Sequence, residues 1–235
     1  MTRTLPKLST LRNLSLAALL ALTPTLPGCV TSTMLREKGQ AAQARGDHEA
    51  AIDFYLEGLQ KNPADHRARF HLGEAYLATN QPLEAQLQFE RVYAARPNDE
   101  LLTPRVLDRL AEAIYQQDRP LDLFQMLEET AEARGTSRAY LRQADYLVKI
   151  GDHDQAAIAY KIAARFAEPG DPTPYLKAAA FYESIGDPAN TALNLRYAIY
   201  VDPDNPTINP WFRKLGIVPG PTLPLAPPDL TAPTP

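Results

Sequence analysis

Residues 66–99 read HRARFHLGEAYLATNQPLEAQLQFERVYAARPND. Small and aromatic residues stand at fixed points in this stretch: Leu72, Gly73, Ala75, Tyr76, Ala85, Phe89, then Pro97 near its end. Aligned on itself with a shift of 34, the chain brings Gly39 onto Gly73, Gly46 onto Asn80, Ala51 onto Ala85, Tyr55 onto Phe89 and Pro63 onto Pro97. A fixed period of this size marks stacked supersecondary units, each unable to bury its own apolar stripe.

Working outward, residues 32–65 form the copy before this one. Later copies drift. Residues 104–137 keep LAEAIYQQDRPLD but follow a four-residue insertion, ELLT (100–103), and place Leu123 where a small alanine is expected. Residues 137–170 contain GDHDQAAIAYKIAA, with Gly151, Ala156, Tyr160 and Ala163 in position; residues 172–205 hold Gly186, Leu195, Ala198 and Pro203. One copy is a weak signal and five in tandem are a strong one. The pattern resembles the tetratricopeptide repeat, in which each unit is a pair of antiparallel helices. The resemblance implies an all-α, right-handed solenoid of about ten helices with a concave face.

Helix packing explains the residue types. Small residues at Gly73, Ala75 and Ala85 let the two helix axes of a unit approach, and Tyr76 and Phe89 fill the space between units. The Gly46–Asp47, Gly151–Asp152 and Gly186–Asp187 pairs break the chain between helices, and Pro63, Pro97 and Pro203 stop continuation past helix ends. A solenoid end needs a cap. NPTINPWFRKLG (205–216) supplies one, a helix over 206–216 with Trp211, Phe212 and Leu215 covering the last unit. Trp211 is therefore structural. Residues 217–235, IVPGPTLPLAPPDLTAPTP, are Pro-rich without an apolar period and read as an extended, flexible tail.

The 26.0 kDa chain carries 24 basic and 28 acidic residues, a net charge of −4. Three of the basic groups (Arg3, Lys7, Arg12) precede Cys29 in a segment without acids, so the remainder balances 21 against 28, or −7. That excludes nucleic acid as the main partner, because phosphate binding needs a basic face. One cysteine makes neither an internal disulfide nor a thiolate zinc site.

The position of that cysteine is informative. MTRTLPKLSTLRN (1–13) is basic and LSLAALLALT (14–23) apolar. As a helix the latter would rise about 15 Å, half a bilayer core, too short to span. A charged stretch, a short apolar stretch and a small-residue exit read as a secretory signal. The exit LPGC (26–29) resembles the lipobox of bacterial lipoproteins at Leu26, Gly28 and Cys29, with Pro27 an unusual residue at the tolerant position. The resemblance implies cleavage after residue 28, a diacylglyceryl thioether on Cys29, and a short linker (29–31) before the array (32–205). Several acyl chains anchor stably where one does not, at about 0.8 kcal/mol per buried CH₂. Val30, rather than aspartate, follows Cys29, which in enterobacterial-type sorting resembles the outer-membrane pattern, on the periplasmic side.

The resemblance also implies a partner face, lined by the first helix of each unit. One unit position runs Glu37, His71, Arg109, Arg142, Lys177; another runs Thr33, Arg67, Arg105, Arg138, Thr173; a third runs Gln40, Glu74, Glu112, Asp145, Ala180. Two basic columns thus flank an acidic one. The candidate partner-binding residues are Arg67, His71, Arg105, Arg109, Arg138, Arg142 and Lys177, suited to an acidic or carboxylate-terminated peptide because arginine offers a bidentate fork. The set Arg36, Gln40, His71, Arg105, Arg109 loosely resembles the carboxylate clamp of chaperone-binding repeat proteins, with identity at Arg109 alone. Against this stands a plain solvated face, in which Arg109–Glu112 and Arg142–Asp145 pair within their own helices.

No nucleophile elbow, phosphate-cradling loop or histidine cluster occurs, and no cofactor or metal is expected. His48 and His153 share a unit position that packing explains. Three readings follow: a non-catalytic, lipid-anchored interaction scaffold of the cell envelope; an adaptor recruiting a cell-wall enzyme; and an enzyme with a site not visible in the sequence. Type IV pilus pilotins and outer-membrane assembly lipoproteins resemble the lipobox-plus-repeat arrangement.

Overall fold

The computed structural model describes residues 30–228. The segment read as a secretory signal (1–28) and Cys29 lie outside the described residues. Among those described, eleven α-helices and no strand occur. Five antiparallel pairs follow one another: α1 (Ser32–Ala44) with α2 (His48–Lys61), α3 (His66–Ala78) with α4 (Pro82–Ala95), α5 (Leu102–Gln116) with α6 (Pro120–Arg134), α7 (Ser137–Lys149) with α8 (His153–Arg165), and α9 (Thr173–Ser184) with α10 (Pro188–Val201). The short α11 (Ile208–Lys214) closes the series, with Phe212 fully buried against α10. First helices of successive pairs contact one another while second helices contact mainly the first helices beside them. The stack therefore curves with α1, α3, α5, α7 and α9 on its inner side.

Turns between paired helices follow one recipe with two wordings. Gly46, Gly151 and Gly186 take left-handed φ values of 75–83°, and the next residue, Asp47, Asp152 or Asp187, caps the following helix by accepting from a backbone N–H three residues on. In pairs two and three, Asn80 (φ 57°) and Asp118 (φ 53°) hold the left-handed position. These are the L-residues that tolerate it best. There no side chain caps the helix; Pro82 and Pro120 start it instead, in the first turn where an N–H is not needed.

Two sequence expectations change. The third unit starts before residue 104, inside the ELLT insertion: Leu102 and Thr103 form the first turn of α5. Asp99 Oδ1 accepts from the N–H groups of Leu101 and Leu102, and buried Thr103 donates its hydroxyl to the Arg96 carbonyl at 2.6 Å. The Pro-rich segment is also not a free tail over 217–228. Ile217 and Leu223 pack on the α9–α10–α11 cluster, Arg196 Nε donates to the Leu223 carbonyl at 2.9 Å, and Leu225 N donates to the Arg196 carbonyl at 3.1 Å. Prolines at 219, 221, 224 and 227 pre-set an extended backbone, so laying this strap down costs little chain entropy.

Pair geometry rests on two glycines. A Cβ built on Gly39 would lie 2.4 Å from the Tyr55 ring, and one on Gly73 would lie 2.6 Å from the Phe89 ring. Both rings are fully buried. Gly58, also helical, has room: its added Cβ would meet nothing nearer than 3.4 Å. We expect Gly73→Ala to destabilise by about 1–3 kcal/mol through overpacking. Gly58→Ala should be neutral or stabilising by up to about 1 kcal/mol from helix propensity. Thermal melts followed by helical circular dichroism check both; equal shifts in the two variants would refute the packing argument.

Candidate functional site: the inner face of the stack

Stacking places each inner helix beside the next, so residues about one repeat apart in sequence become neighbours. A ladder of polar contacts results. Gln40 Nε2 lies 3.0 Å from His71 Nε2, and His71 Nδ1 lies 3.0 Å from Glu74 Oε2, an arrangement satisfied when Gln40 donates to the ring and Nδ1–H donates to the carboxylate. Arg109 Nε donates to Glu74 Oε1 at 3.3 Å. Asp108 accepts from both Arg138 and Arg142, the latter at 2.9 Å. Glu112 accepts from Tyr146 Oη at 2.8 Å and Lys149 Nζ at 3.1 Å. Asp145 accepts from Tyr160 Oη at 2.9 Å and Lys177 Nζ at 2.5 Å.

The expected pairs within a helix, Arg109–Glu112 and Arg142–Asp145, are thus replaced by pairs between helices. Arg109 joins α5 to α3, and Arg142 joins α7 to α5. Each acid is shared, so the acidic column neutralises part of the two basic ones and ties successive units together.

The seven sequence-predicted residues do not converge on one place. Arg67, His71 and Arg105 line one cavity of about 390 Å³, with Gln40, Phe70, Asp99 and Leu102. The Arg105 guanidinium sits over the Phe70 ring at 4.7 Å, which leaves its edge open to a ligand. Arg138, Arg142 and Lys177 line a second cavity, also about 390 Å³, with Lys149, Asp108 and Asp145. Arg109 stands between the two, in a shallower site shared with Glu74, Glu112 and Gln116.

Arg142 differs from the rest. Its side chain is 4% exposed, against 58% for Arg138 on the same carboxylate. Burial lowers its pKa and Asp108 opposes that shift. Its Nε finds no hydrogen-bond partner among the described residues. Arg142 is the floor of its cavity and is not free to reach out.

Sequence reasoning missed Lys149, Tyr146 and the apolar rim at Leu101 and Leu102. Lys149 lies 4.2 Å from the Tyr146 ring centre and 5.0 Å from that of Tyr115. Its signal was a lysine at the last turn of an inner helix, opposite a column acid; Leu101, 85% exposed, was legible as an apolar residue inside the insertion.

Burial works to raise the Glu74 pKa, yet the hydrogen bond from His71, with the charges of Arg109 and Arg105, holds it below the ordinary glutamate range. Glu112 is lowered likewise, against burial, by bonds from Gln116, Tyr146 and Lys149. Burial, then Glu112, pushes the Tyr146 hydroxyl far above its usual value, so it stays a donor. Among the described residues no three His, Cys, Asp or Glu side chains converge to hold a metal.

Residues 42–103 match the family model of the tetratricopeptide repeat. Solved structures share the architecture. TTC0263, described as a thermophilic TPR protein of Thermus thermophilus, aligns with a TM-score of 0.51 and 18% identity, over 79% of this chain and 98% of its own. MamA 41-end from Desulfovibrio magneticus RS-1 aligns with a TM-score of 0.53 and 16% identity, over 75% and 97%. Pseudomonas aeruginosa pilF aligns with a TM-score of 0.50 and 16% identity, over 78% and 82%. The fold is an α-solenoid of stacked helix pairs, similar to that of these tetratricopeptide proteins. No relative was found among curated proteins. The likeness extends to 130 solved chains and concerns the architecture alone.

Replacing Asp108 should expose what the ladder contributes. Asp108→Ala leaves Arg142 buried without a counter-charge and should cost about 2 kcal/mol, below the range for fully buried pairs because Asp108 is 38% exposed. Asp108→Asn, which still accepts a hydrogen bond, should cost less; urea midpoints rank the two. The depressed Glu74 pKa stabilises the fold above the unfolded value of about 4.3, and that contribution is lost as pH falls through the lower folded value. The stability gap between wild type and Glu74→Gln should therefore be widest near neutral pH and narrow as acid protonates Glu74. A constant gap would contradict the assignment.

Proposed function

We propose that this chain is a non-catalytic interaction scaffold, held at the cell envelope by a lipid on Cys29, that binds an extended acidic segment of a protein partner along its inner face. The observation that carries the reading is the pair of basic cavities on one face, separated by an acidic saddle. Arg67 and Arg105 present exposed guanidinium groups in the first; Arg138, Lys149 and Lys177 present cations around buried Arg142 in the second. Glu74 and Glu112 lie between them around Arg109. A segment with acidic groups at both ends and a neutral or basic middle matches this order.

The aromatic and apolar elements support peptide rather than free anion. Phe70, Leu101 and Leu102 edge the first cavity, and Leu141 and Tyr146 the second. Such mixed lining takes side chains as well as carboxylates. The anchor rests on the sequence: a basic stretch, a short apolar stretch and the chain's single cysteine at the lipobox position. Val30 favours the outer membrane within that reading.

The test combines localisation with capture. Protein purified from native membranes is crosslinked and identified by mass spectrometry, beside Cys29→Ser, Arg67→Glu/Arg105→Glu and Arg138→Glu/Lys177→Glu variants. Arg142 is left alone, because reversing a buried charge would unfold its unit. We expect Cys29→Ser to lose the lipid mass and leave the membrane fraction, and each double reversal to lose most of the captured partner while the circular dichroism stays helical. Undiminished capture by both reversals would make the face a solvated surface only. Unchanged fractionation of Cys29→Ser would remove the anchor.

A further inference from the structure

Antiparallel pairing gives the stack two edges. One carries the turns inside each pair; the other carries the junctions between pairs, where α1, α3, α5, α7 and α9 begin. Charge divides between them. Over the first three pairs, the turn edge (residues 45–49, 79–84 and 117–122) holds five acids against two bases. The junction edge (61–67, 95–102 and 133–138) holds five bases, Lys61, Arg67, Arg96, Arg134 and Arg138, against three acids. At the later junctions (165–173 and 201–208) the balance reverses to one base and four acids.

Two of the three acids on the basic stretch are engaged locally. Asp65 holds Arg36 at 2.5 Å, and Asp99 accepts from the backbone at the start of α5. Arg67 and Arg96 make no ion pair among the described residues, and Arg134 donates to the neutral Pro97 carbonyl. Arg36, Arg67 and Arg96 meet at a recess of about 320 Å³ with Asn62 and His66, whose Nδ1 is buried without a hydrogen-bond partner. Leu101, almost wholly exposed, stands at the same junction as Arg96.

We propose that the junction edge of the first three pairs docks on the anionic phospholipid surface of the bilayer that holds the chain, with headgroup phosphates at Arg67, Arg96 and Arg134 and with Leu101 entering the interface. The inference rests on the lipid anchor proposed above. α1 begins on this edge, so a chain held by a lipid on Cys29 is tethered from its basic side. An acyl anchor and nearby basic groups act together on an anionic surface, where each basic group is worth about fivefold in binding. Guanidinium groups take phosphate oxygens in pairs. Cations spread over three junctions suit a surface of many phosphates better than one bound group, and an exposed leucine among them suits the boundary below the headgroups. The acidic turn edge then points away from the membrane, and the acids of the later junctions keep the last two pairs off it. The inner face, between the two edges, stays open to a partner.

Lipid contact can be read site by site. Asn98→Cys on the junction edge and Glu49→Cys on the turn edge, both exposed positions, each receive an environment-sensitive fluorophore. Protein purified from native membranes is reconstituted in vesicles of phosphatidylcholine, alone or mixed with phosphatidylglycerol, and quenched by a lipid with a nitroxide headgroup. We expect quenching at 98 to be severalfold stronger with phosphatidylglycerol, and to weaken in high salt and in Arg96→Glu/Arg134→Glu. The label at 49 should stay unquenched. That double reversal spares every cation assigned to the partner, so partner capture should persist. Equal quenching at 98 on the two vesicles, or no change on reversal, would overturn the proposal. Wild type tests the anchor separately, because a thioether on Cys29 blocks labelling of the chain's one cysteine. Dye uptake there would remove the anchor alone; the edge is then judged on Cys29→Ser/Asn98→Cys added to the same vesicles, where quenching at 98 that ignores phosphatidylglycerol overturns it too.

Discussion

Tyr55 and Phe89 occupy volume that a single methyl group would take from them. In the first two pairs, glycine at 39 and 73 lets a ring lie directly against the backbone of the facing helix. At the same unit position the later pairs carry Ala111, Ala144 and Ala179, opposite Leu127, Tyr160 and Leu195, all buried. Where the small residue gains a carbon, two of the three opposing side chains shrink from aromatic to leucine. In four pairs the axes approach closely through this exchange of volume across one contact, whereas α5 and α6, with Leu123 where a small alanine is expected, lie further apart. This spacing sets the offset of each inner helix from the next, and everything on the inner face inherits it.

The polar ladder is the clearest inheritance. Contacts such as Glu74–Arg109, Asp108–Arg142, Glu112–Tyr146 and Asp145–Lys177 join residues 32–35 apart in sequence, close to one repeat period. Each inner helix spends some of its charge on the helix before it, and what remains unneutralised defines the two basic cavities. The residues that tie the units together therefore also line the cavities. Asp108 shows this best, holding buried Arg142 with one oxygen and exposed Arg138 with the other.

The repeat was legible because close helix crossings restrict residue size at fixed intervals, and size shows in the sequence. Pairing was less legible. A separation of three, as in Arg109–Glu112, is visible by eye, whereas the contact that forms, Arg109 to Glu74, depends on how two helices lie across a unit boundary. The start of α5 inside ELLT and the packing of the Pro-rich strap were not legible for a related reason. Neither carries a helical period, and both are ordered by groups elsewhere: Arg96 and Asp99 in one case, Arg196 in the other. Of the candidate partner residues, sequence placed the basic columns on one face but could not separate buried Arg142 from its exposed neighbours.

The strap also makes the two ends of the stack unequal. At the C-terminal side, α10 is covered by α11 and by an extended segment bonded to Arg196. At the other, among the described residues, α1 packs against α2 and α3. In a quasi-one-dimensional array, each unit is stabilised mainly by its immediate neighbours. The strap braces the last pair from behind: with Leu223 and Ile217 on the α9–α10–α11 cluster and Arg196 holding the segment down, α10 is covered on the side away from α9. Lys177 of α9 lines the second basic cavity, so the firmness of that wall depends on a proline-rich segment that follows it by about forty residues in sequence.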